Sequence, residues 1–360
     1  MSQTSHRKGE HLKIALLPSS QTTSSAGWDD IHLLPVSLPE LNLHQVDTSG
    51  DLAGASLAAP FVIASMTGGH PDSIPINERL AAAAQKLGVA VGSGSQRAAL
   101  RDPSLARTYT VIRESAPDAV VLANIGVCQL VEQGSDPPLS KGEIESAIGM
   151  LDAQFLIIHL NILEELVQPE GDSTLTGLVS AIERVVDWSP VPVVVKETGS
   201  GMTTETARLL DGAGVRIIDV GGAGGTSFSR IEGQRALERG DLHGARMGET
   251  FGEWGVPTAA SILEVKGKGL TTIATGGIRT GLDGAKALAL GADAIGIGKP
   301  VLSAAVESYE AVVDEMSAFI DELRIAMLLT GCATVAELRR HRPIVGGRVR
   351  EWTQARGLII

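Results

Sequence analysis

Between Thr275 and Pro300, TGGIRTGLDGAKALALGADAIGIGKP, two apolar segments each deliver a glycine turn followed by a helical pattern. The first ends on Gly276-Gly277. An amphipathic stretch follows, with apolar positions at Leu282, Ala285, Leu288 and Ala289. The second, Ala294 to Ile297, ends on Gly298 and Lys299. Bare backbone N–H groups at such turns, backed by helix N-termini and flanked by Arg279, suit a phosphate dianion. Gly277, Ile278, Arg279, Gly298 and Lys299 are therefore the expected anion holders.

Other residue types able to do chemistry recur at the ends of apolar runs. They are Ser65-Met66-Thr67-Gly68-Gly69, Ser95-Gln96-Arg97, Asn124, His159-Leu160-Asn161 with Glu164-Glu165, Gln168-Pro169-Glu170-Gly171-Asp172, Lys196-Glu197, and Gly221-Gly222 with Thr226. The runs that must position them begin at Phe61, Val89, Ala119, Phe155, Val191, Ile217, Thr271 and Ala294. Each is followed by a helical pattern, at about the spacing of one β–α unit. Near-continuous Val/Ile/Ala strands are expected where a parallel sheet is buried on both faces. Eight units predict a single (β/α)8 TIM barrel of the α/β class, whose chemistry sits at the strand C-termini and whose phosphate site commonly follows strands 7 and 8. The expected organisation is an N-terminal arm over 1–60, the barrel over 61–330 and a basic C-terminal tail over 331–360, solvated or in contact with another subunit. A long connection after strand 6, from Gly222 to Thr271, reads as a partly helical cover over the barrel mouth.

Composition narrows the function classes. A formal net charge of −12 over 360 residues argues against nucleic acid as a partner. Two cysteines, Cys128 and Cys332, support neither a disulfide framework nor a cysteine metal cluster. No apolar run is long enough for a membrane span, so a cytoplasmic enzyme is expected. With 43% hydrophobic but 3% aromatic residues, the core must be built from small and branched side chains.

With the N-terminal Arg7-Lys8-Gly9-Glu10-His11 added, the ordered set resembles the type 2 isopentenyl-diphosphate delta-isomerases across nearly the whole chain. The 275–300 run alone also resembles the FMN-phosphate segment of α-hydroxy-acid oxidases and inosine-monophosphate dehydrogenases. The resemblance implies FMN held by Ser65, Met66, Thr67, Gly68, Ser95, Asn124, Lys196, Thr226, Gly277, Ile278, Arg279, Gly298 and Lys299. It implies a prenyl diphosphate substrate held by Arg7, Lys8, Ser95, Gln96, Arg97 and Glu164, with Mg2+ on Glu165. His159, Asn161 and Glu164 are the implied catalytic residues, NADPH the flavin's reductant, and a homo-oligomer the expected assembly. A strand-end lysine such as Lys196 must be paired. It either faces the flavin, as the resemblance implies, or forms an ion pair with Glu197.

Two competing reactions lack their residues. An α-hydroxy-acid oxidase needs a histidine at the strand-6 turn, which here reads DVGGAGGTS, with His243 far along the connection. A nucleotide dehydrogenase needs a cysteine nucleophile after strand 6, and none occurs between Cys128 and Cys332. One departure bears on the isomerase reading. The family pattern on strand 4 is His-x-Asn-x-x-Gln-Glu, and Glu164 occupies the glutamine position. A carboxylate beside a metal ligand and a diphosphate repels that anion unless it is protonated or recruited to metal. That leaves a different phosphorylated or prenyl substrate, or an altered flavin-binding homologue, as the alternative.

Overall fold

Each apolar run becomes a strand, and the strands close on themselves. The structure is a computed structural model and describes residues 3–358 apart from Pro169. The barrel strands are β1 (Phe61–Ile63), β2 (Ala90–Gly92), β3 (Val121–Gly126) and β4 (Phe155–Leu160), then β5 (Val193–Glu197), β6 (Ile217–Asp219), β7 (Thr271–Thr275) and β8 (Ala294–Ile297). All neighbours are parallel, and β8 returns to β1 with Ile295 opposite Phe61 and Ile297 opposite Ile63. Closure leaves the barrel no sheet edge.

Alternation along each strand decides what the interior contains. One set of positions, including Val62, Leu122, Ile157, Val194, Ile217 and Ile273, packs into an inner apolar layer. Leu52 and Leu57, from the hairpin Gly50–Leu52 and Ala55–Leu57, join the same layer. The alternate set, such as Ile63, Ala123, Ile158, Val195 and Ile218, packs in the separate, larger cluster that includes the surrounding helices. Two residues past the inner layer the sequence turns polar, at Asn124, His159, Lys196, Asp219 and Thr275. A period of two therefore lifts all five onto the inward face, above an apolar floor.

The connection after β6 is more ordered than a loop. Helices Phe228–Glu238 and Leu242–Thr250 pack closely, and a Cβ on Gly248 would come within 2.3 Å of Gly233 Cα. Thr258–Val265, buried along its whole length, is the barrel's own helix leading into β7. Only the first pair can serve as a cover. The N-terminal helix Gln3–Leu16 lies against Phe228–Glu238 and against Lys299–Glu307. Just beyond it, Ser227 N donates to Ser20 O at 2.8 Å and Thr22 N to Gly225 O at 2.8 Å.

Residues from 331 to 358, which have the composition of a solvated tail, fold onto the barrel instead. Ile344–Val345 pairs antiparallel with Ile31–His32, and Gly347–Arg356 packs on Thr258–Val265. Two arginines of this basic segment find carboxylates. Arg339 pairs with Asp293 at 2.6 Å, and Arg356 Nε donates at 2.8 Å to Glu264, whose side chain is 0% exposed. Glu264 also accepts from Trp352 Nε1 at 2.9 Å and from Thr204 N at 3.0 Å. Replacing Glu264 by Ala strands three donors, so equilibrium urea unfolding should show a loss of about 2–4 kcal/mol. An unchanged midpoint would show that the C-terminal segment is not anchored there.

Candidate active site

One cavity at the C-terminal ends of the strands gathers most of the residues singled out from the sequence. Arg7 and Lys8 reach it from the N-terminal helix, Ser65, Met66 and Thr67 from the end of β1, and Ser95 and Arg97 from beyond β2. Asn124, His159, Asn161, Glu164, Glu165, Lys196 and Thr226 line it as well, with Gly277, Ile278, Arg279, Gly298 and Lys299. Two expectations need correction. Gln96 is fully buried as a brace, donating to Ala147 O at 2.8 Å and accepting from Asn124 N at 2.9 Å. Gly68 does not line the cavity. Its φ is +153°, and a Cβ there would sit 2.2 Å from Tyr109 Cε1, so glycine serves the packing of that ring. Pro169 lies outside the described residues.

At one part of the cavity two glycine turns form a cradle. Gly277 has φ +62°, and a Cβ on Gly225 would approach Gly277 N to 2.8 Å, so the backbones touch. Helix Lys299–Glu307 begins after Gly298 without a side-chain cap, leaving its first N–H groups available. Gln21 of the arm bridges the cradle's polar side chains: its Oε1 accepts from Arg279 Nη2 at 2.6 Å, and its Nε2 donates to Thr226 Oγ1 at 2.9 Å. Such a cradle is chemically suited to a phosphate dianion.

Lys196 Nζ lies 3.0 Å from Asp219 Oδ2, with 8% and 6% of the side chains exposed. Asp219 also accepts from Thr275 Oγ1 at 2.9 Å and from Gly221 N at 3.1 Å, tying β5, β6 and β7 together. The lysine's partner is therefore Asp219, not the side chain of Glu197. Burial pushes Glu197 up to about 7 even though Ser200 and Gly199 N–H groups donate to it. Ser65 Oγ and Gln129 Oε1 are buried in the cavity wall without a hydrogen-bond partner. Orphaned polar atoms beside a phosphate cradle and a strand-end lysine fit FMN.

The remaining wall carries Arg7, Lys8 and Arg97 beside Glu164 and Glu165. Burial, and then the neighbouring Arg7, lower Lys8 to about 8. Arg97 Nη1 donates to Asp172 Oδ2 at 2.9 Å. Glu165 accepts from Asn161 Nδ2 at 2.8 Å and from Asp172 N at 2.9 Å, and burial raises it. His159 is lowered to about 3, chiefly by burial, so its ring is neutral. Asn124 Nδ2 donates to Ser93 O at 3.0 Å, which turns Asn124 Oδ1 toward His159 Nδ1 at 2.7 Å. The ring hydrogen thus sits on Nδ1 and leaves Nε2 an acceptor.

Sequence reasoning missed His11, Gln129, Asp219, Glu232 and Gln21. His11 had a signal: it follows Arg7 and Lys8 at i+4 and i+3 on one helical face. Its Nε2 is 2.6 Å from Glu232 Oε1, and its Nδ1 is 3.9 Å from Glu164 Oε1. Burial, with Glu232 and Glu165 adding, raises Glu164 to about 7. A raised carboxyl keeps in the folded state a proton that the unfolded chain releases. Stability is therefore lost as pH rises from about 4.5 through about 7. In chelator-treated protein, Glu164→Gln should leave the melting temperature unchanged at low pH. Above neutrality it should stabilise by roughly 1–3 kcal/mol. A gain independent of pH would show that Glu164 ionises normally.

The FMN-dependent dehydrogenase family matches residues 163–344. Isopentenyl-diphosphate delta-isomerase of Methanosarcina mazei is 46% identical over 98% of this chain and 95% of its own length. The protein of the same name from Halobacterium salinarum is 44% identical over 98% and 97%. Solved structures share the fold at low identity. A mandelate oxidase variant has a TM-score of 0.62 at 20% identity, covering 95% of this chain and 98% of its own. A Pediococcus acidilactici lactate oxidase has 0.66 at 14%, covering 95% and 94%. The oxidases share the barrel, whereas near full-length identity above 40% lies with the isomerases, and the chain belongs to the type 2, FMN-dependent isopentenyl-diphosphate delta-isomerase family.

Proposed function

We propose that the protein interconverts isopentenyl diphosphate and dimethylallyl diphosphate, with reduced FMN and Mg2+ bound in the cavity and NADPH as the flavin's reductant. Two separately built anion cradles lining one cavity carry the reading. One, of glycine turns with Arg279 and Lys299, suits a cofactor phosphate. The other, of Arg7, Lys8 and Arg97 around Glu165, suits a diphosphate with its metal.

The reaction adds a proton at C4 of isopentenyl diphosphate and removes one from C2, with positive charge developing at C3. Electrons are neither gained nor lost. Reduced FMN, when bound, supplies acid–base chemistry at the allylic carbons. The chain's own residues do the rest. Arg7, Lys8 and Arg97 anchor the diphosphate, and Glu165, oriented by Asn161, offers its carboxylate to Mg2+. His159 presents Nε2 as a fixed acceptor on the inward face of β4. Lys196, with its charge partly offset by Asp219, would help hold the flavin and stabilise negative charge on its ring. Met66, Phe228 and Leu302 supply apolar wall that excludes water from a cationic centre.

The purified protein should carry one FMN per chain, and Arg279→Ala should lose FMN at concentrations where the wild type retains it, without a matching loss of stability. Colourless protein that takes up no added FMN would overturn the cofactor assignment. Reduced holoenzyme with isopentenyl diphosphate and Mg2+ should yield dimethylallyl diphosphate without steady NADPH oxidation. NADPH consumption in proportion to product would mean a reductase. Lys8→Ala should raise KM about 10–100-fold by removing a charge-assisted contact, while FMN stays bound. Loss of FMN from that variant would mean that the two cradles are wrongly divided.

A further inference from the structure

Glu164 and Glu165 are consecutive, yet their surroundings differ. Both oxygens of Glu165 accept hydrogen bonds, from Asn161 and from the Asp172 backbone. The Glu164 side chain is only 13% exposed; the Lys8 ammonium acts on it from farther away, and among the described residues its ion-pair contact is His11 Nδ1 at 3.9 Å. That separation is too long for a hydrogen bond. The other face of the imidazole is firmly held, with Nε2 2.6 Å from Glu232 Oε1. Glu232 is 0% exposed and its second oxygen is fixed by Arg235, which also binds Glu10 at 3.0 Å and Glu170 at 2.8 Å.

A carboxylate locked in that way accepts, so the imidazole hydrogen belongs on Nε2. The Nδ1 lone pair then faces the Glu164 carboxyl group across 3.9 Å, a gap that no hydrogen bond spans. With Glu164 ionised, two acceptors face each other across that gap, an arrangement that a cation joining them relieves. Metal bonds of about 2.0–2.2 Å to nitrogen and oxygen put the two ligand atoms roughly 3–4 Å apart, which matches the observed gap. An imidazole whose far N–H is held by a carboxylate is also the usual outer arrangement of a metal-bound histidine. Ligating atoms of His11, Glu164 and Glu232 all lie within 4.8 Å of one another.

We propose that His11 Nδ1 and Glu164 are ligands of a second divalent-cation seat in the cavity, with Glu232 orienting the imidazole. A nitrogen ligand directs this seat toward first-row transition metals, whereas the all-oxygen surroundings of Glu165 suit Mg2+. The seat stands apart from the Mg2+ of the proposed reaction, although it rests on that reading for the role of Glu165. It also answers the charge problem at position 164. Where the family pattern has an amide, this chain has a carboxylate that a cation compensates.

The test uses FMN-loaded protein stripped with chelator and titrated with Mn2+ alone, without any diphosphate, followed by electron paramagnetic resonance. One Mn2+ per chain should bind, with nitrogen-14 modulation in the pulsed spectrum. Glu164→Gln should weaken binding about tenfold or more, and His11→Gln should abolish the nitrogen signal. Glu232→Gln should weaken binding about 10–100-fold and keep that signal. FMN content of each variant reports that it has folded. No binding without diphosphate, binding without nitrogen modulation, or an unchanged affinity in Glu164→Gln would each overturn the seat. Isomerase activity separates the two readings, because it can fail in a protein that still binds Mn2+ through nitrogen, and it can persist in one that does not.

Discussion

Everything in this active site hangs on the inward alternation of eight strands that close without an edge. Because side chains alternate with a period of two, each strand commits one position in two to the barrel interior. Below, Leu122, Ile157, Val194, Ile217 and Ile273 fill that space with hydrocarbon. One step higher, Asn124, His159, Lys196, Asp219 and Thr275 must share it, and none of them can turn away to solvent. Their pairing follows from that confinement. Lys196 lies opposite Asp219 in the β5–β6 register and meets it at 3.0 Å, while Asn124 meets His159 at 2.7 Å. Buried charge without such partners would be costly enough to unseat the strand ends.

The second organising element is the N-terminal arm. Its helix presents Arg7, Lys8 and His11 to the cavity, and the segment just after it hydrogen-bonds with the β6 connection at Gly225 and Ser227. The arm thereby joins the cradle proposed for FMN to the basic wall proposed for substrate. Helix Phe228–Glu238 grows from the same connection and brings Glu232 back to His11. Two remote pieces of sequence are held in contact by a few backbone hydrogen bonds, so the cavity is complete only when both are in place.

The barrel was legible because parallel strands buried on both faces read as unbroken apolar runs, and each of the eight runs became a strand. The site was legible where chemistry-bearing residues end those runs, as at His159, Lys196 and Arg279. Direction was not legible. Ser95-Gln96-Arg97 reads the same whichever of the three turns inward, and the structure sends Gln96 into the wall between Ala147 and Asn124. Long-range pairings were equally hidden. Nothing local tells Lys196 to choose Asp219 over the adjacent Glu197, or Glu264 to wait for Arg356. The segment after 331 has the composition of a solvated tail, because arginines that will meet distant carboxylates look like any exposed basic run.

Two of the cavity's cations are held by different kinds of partner. Arg279 is oriented by the amide of Gln21, which carries no charge, whereas Lys196 is oriented by a carboxylate. Both devices fix geometry, but only the second cancels charge. The guanidinium, on which Asp283 acts without a direct side-chain contact, therefore keeps more of its field for a dianion than the ammonium paired to Asp219 at 3.0 Å. From the glycine turns to the strand ends, charge thus falls from an amide-held guanidinium to a carboxylate-paired ammonium, while Arg7, Lys8 and Arg97 make the cavity's other basic wall. At the glycine-turn end, a ligand with an anionic tail and an uncharged ring would be drawn in tail first.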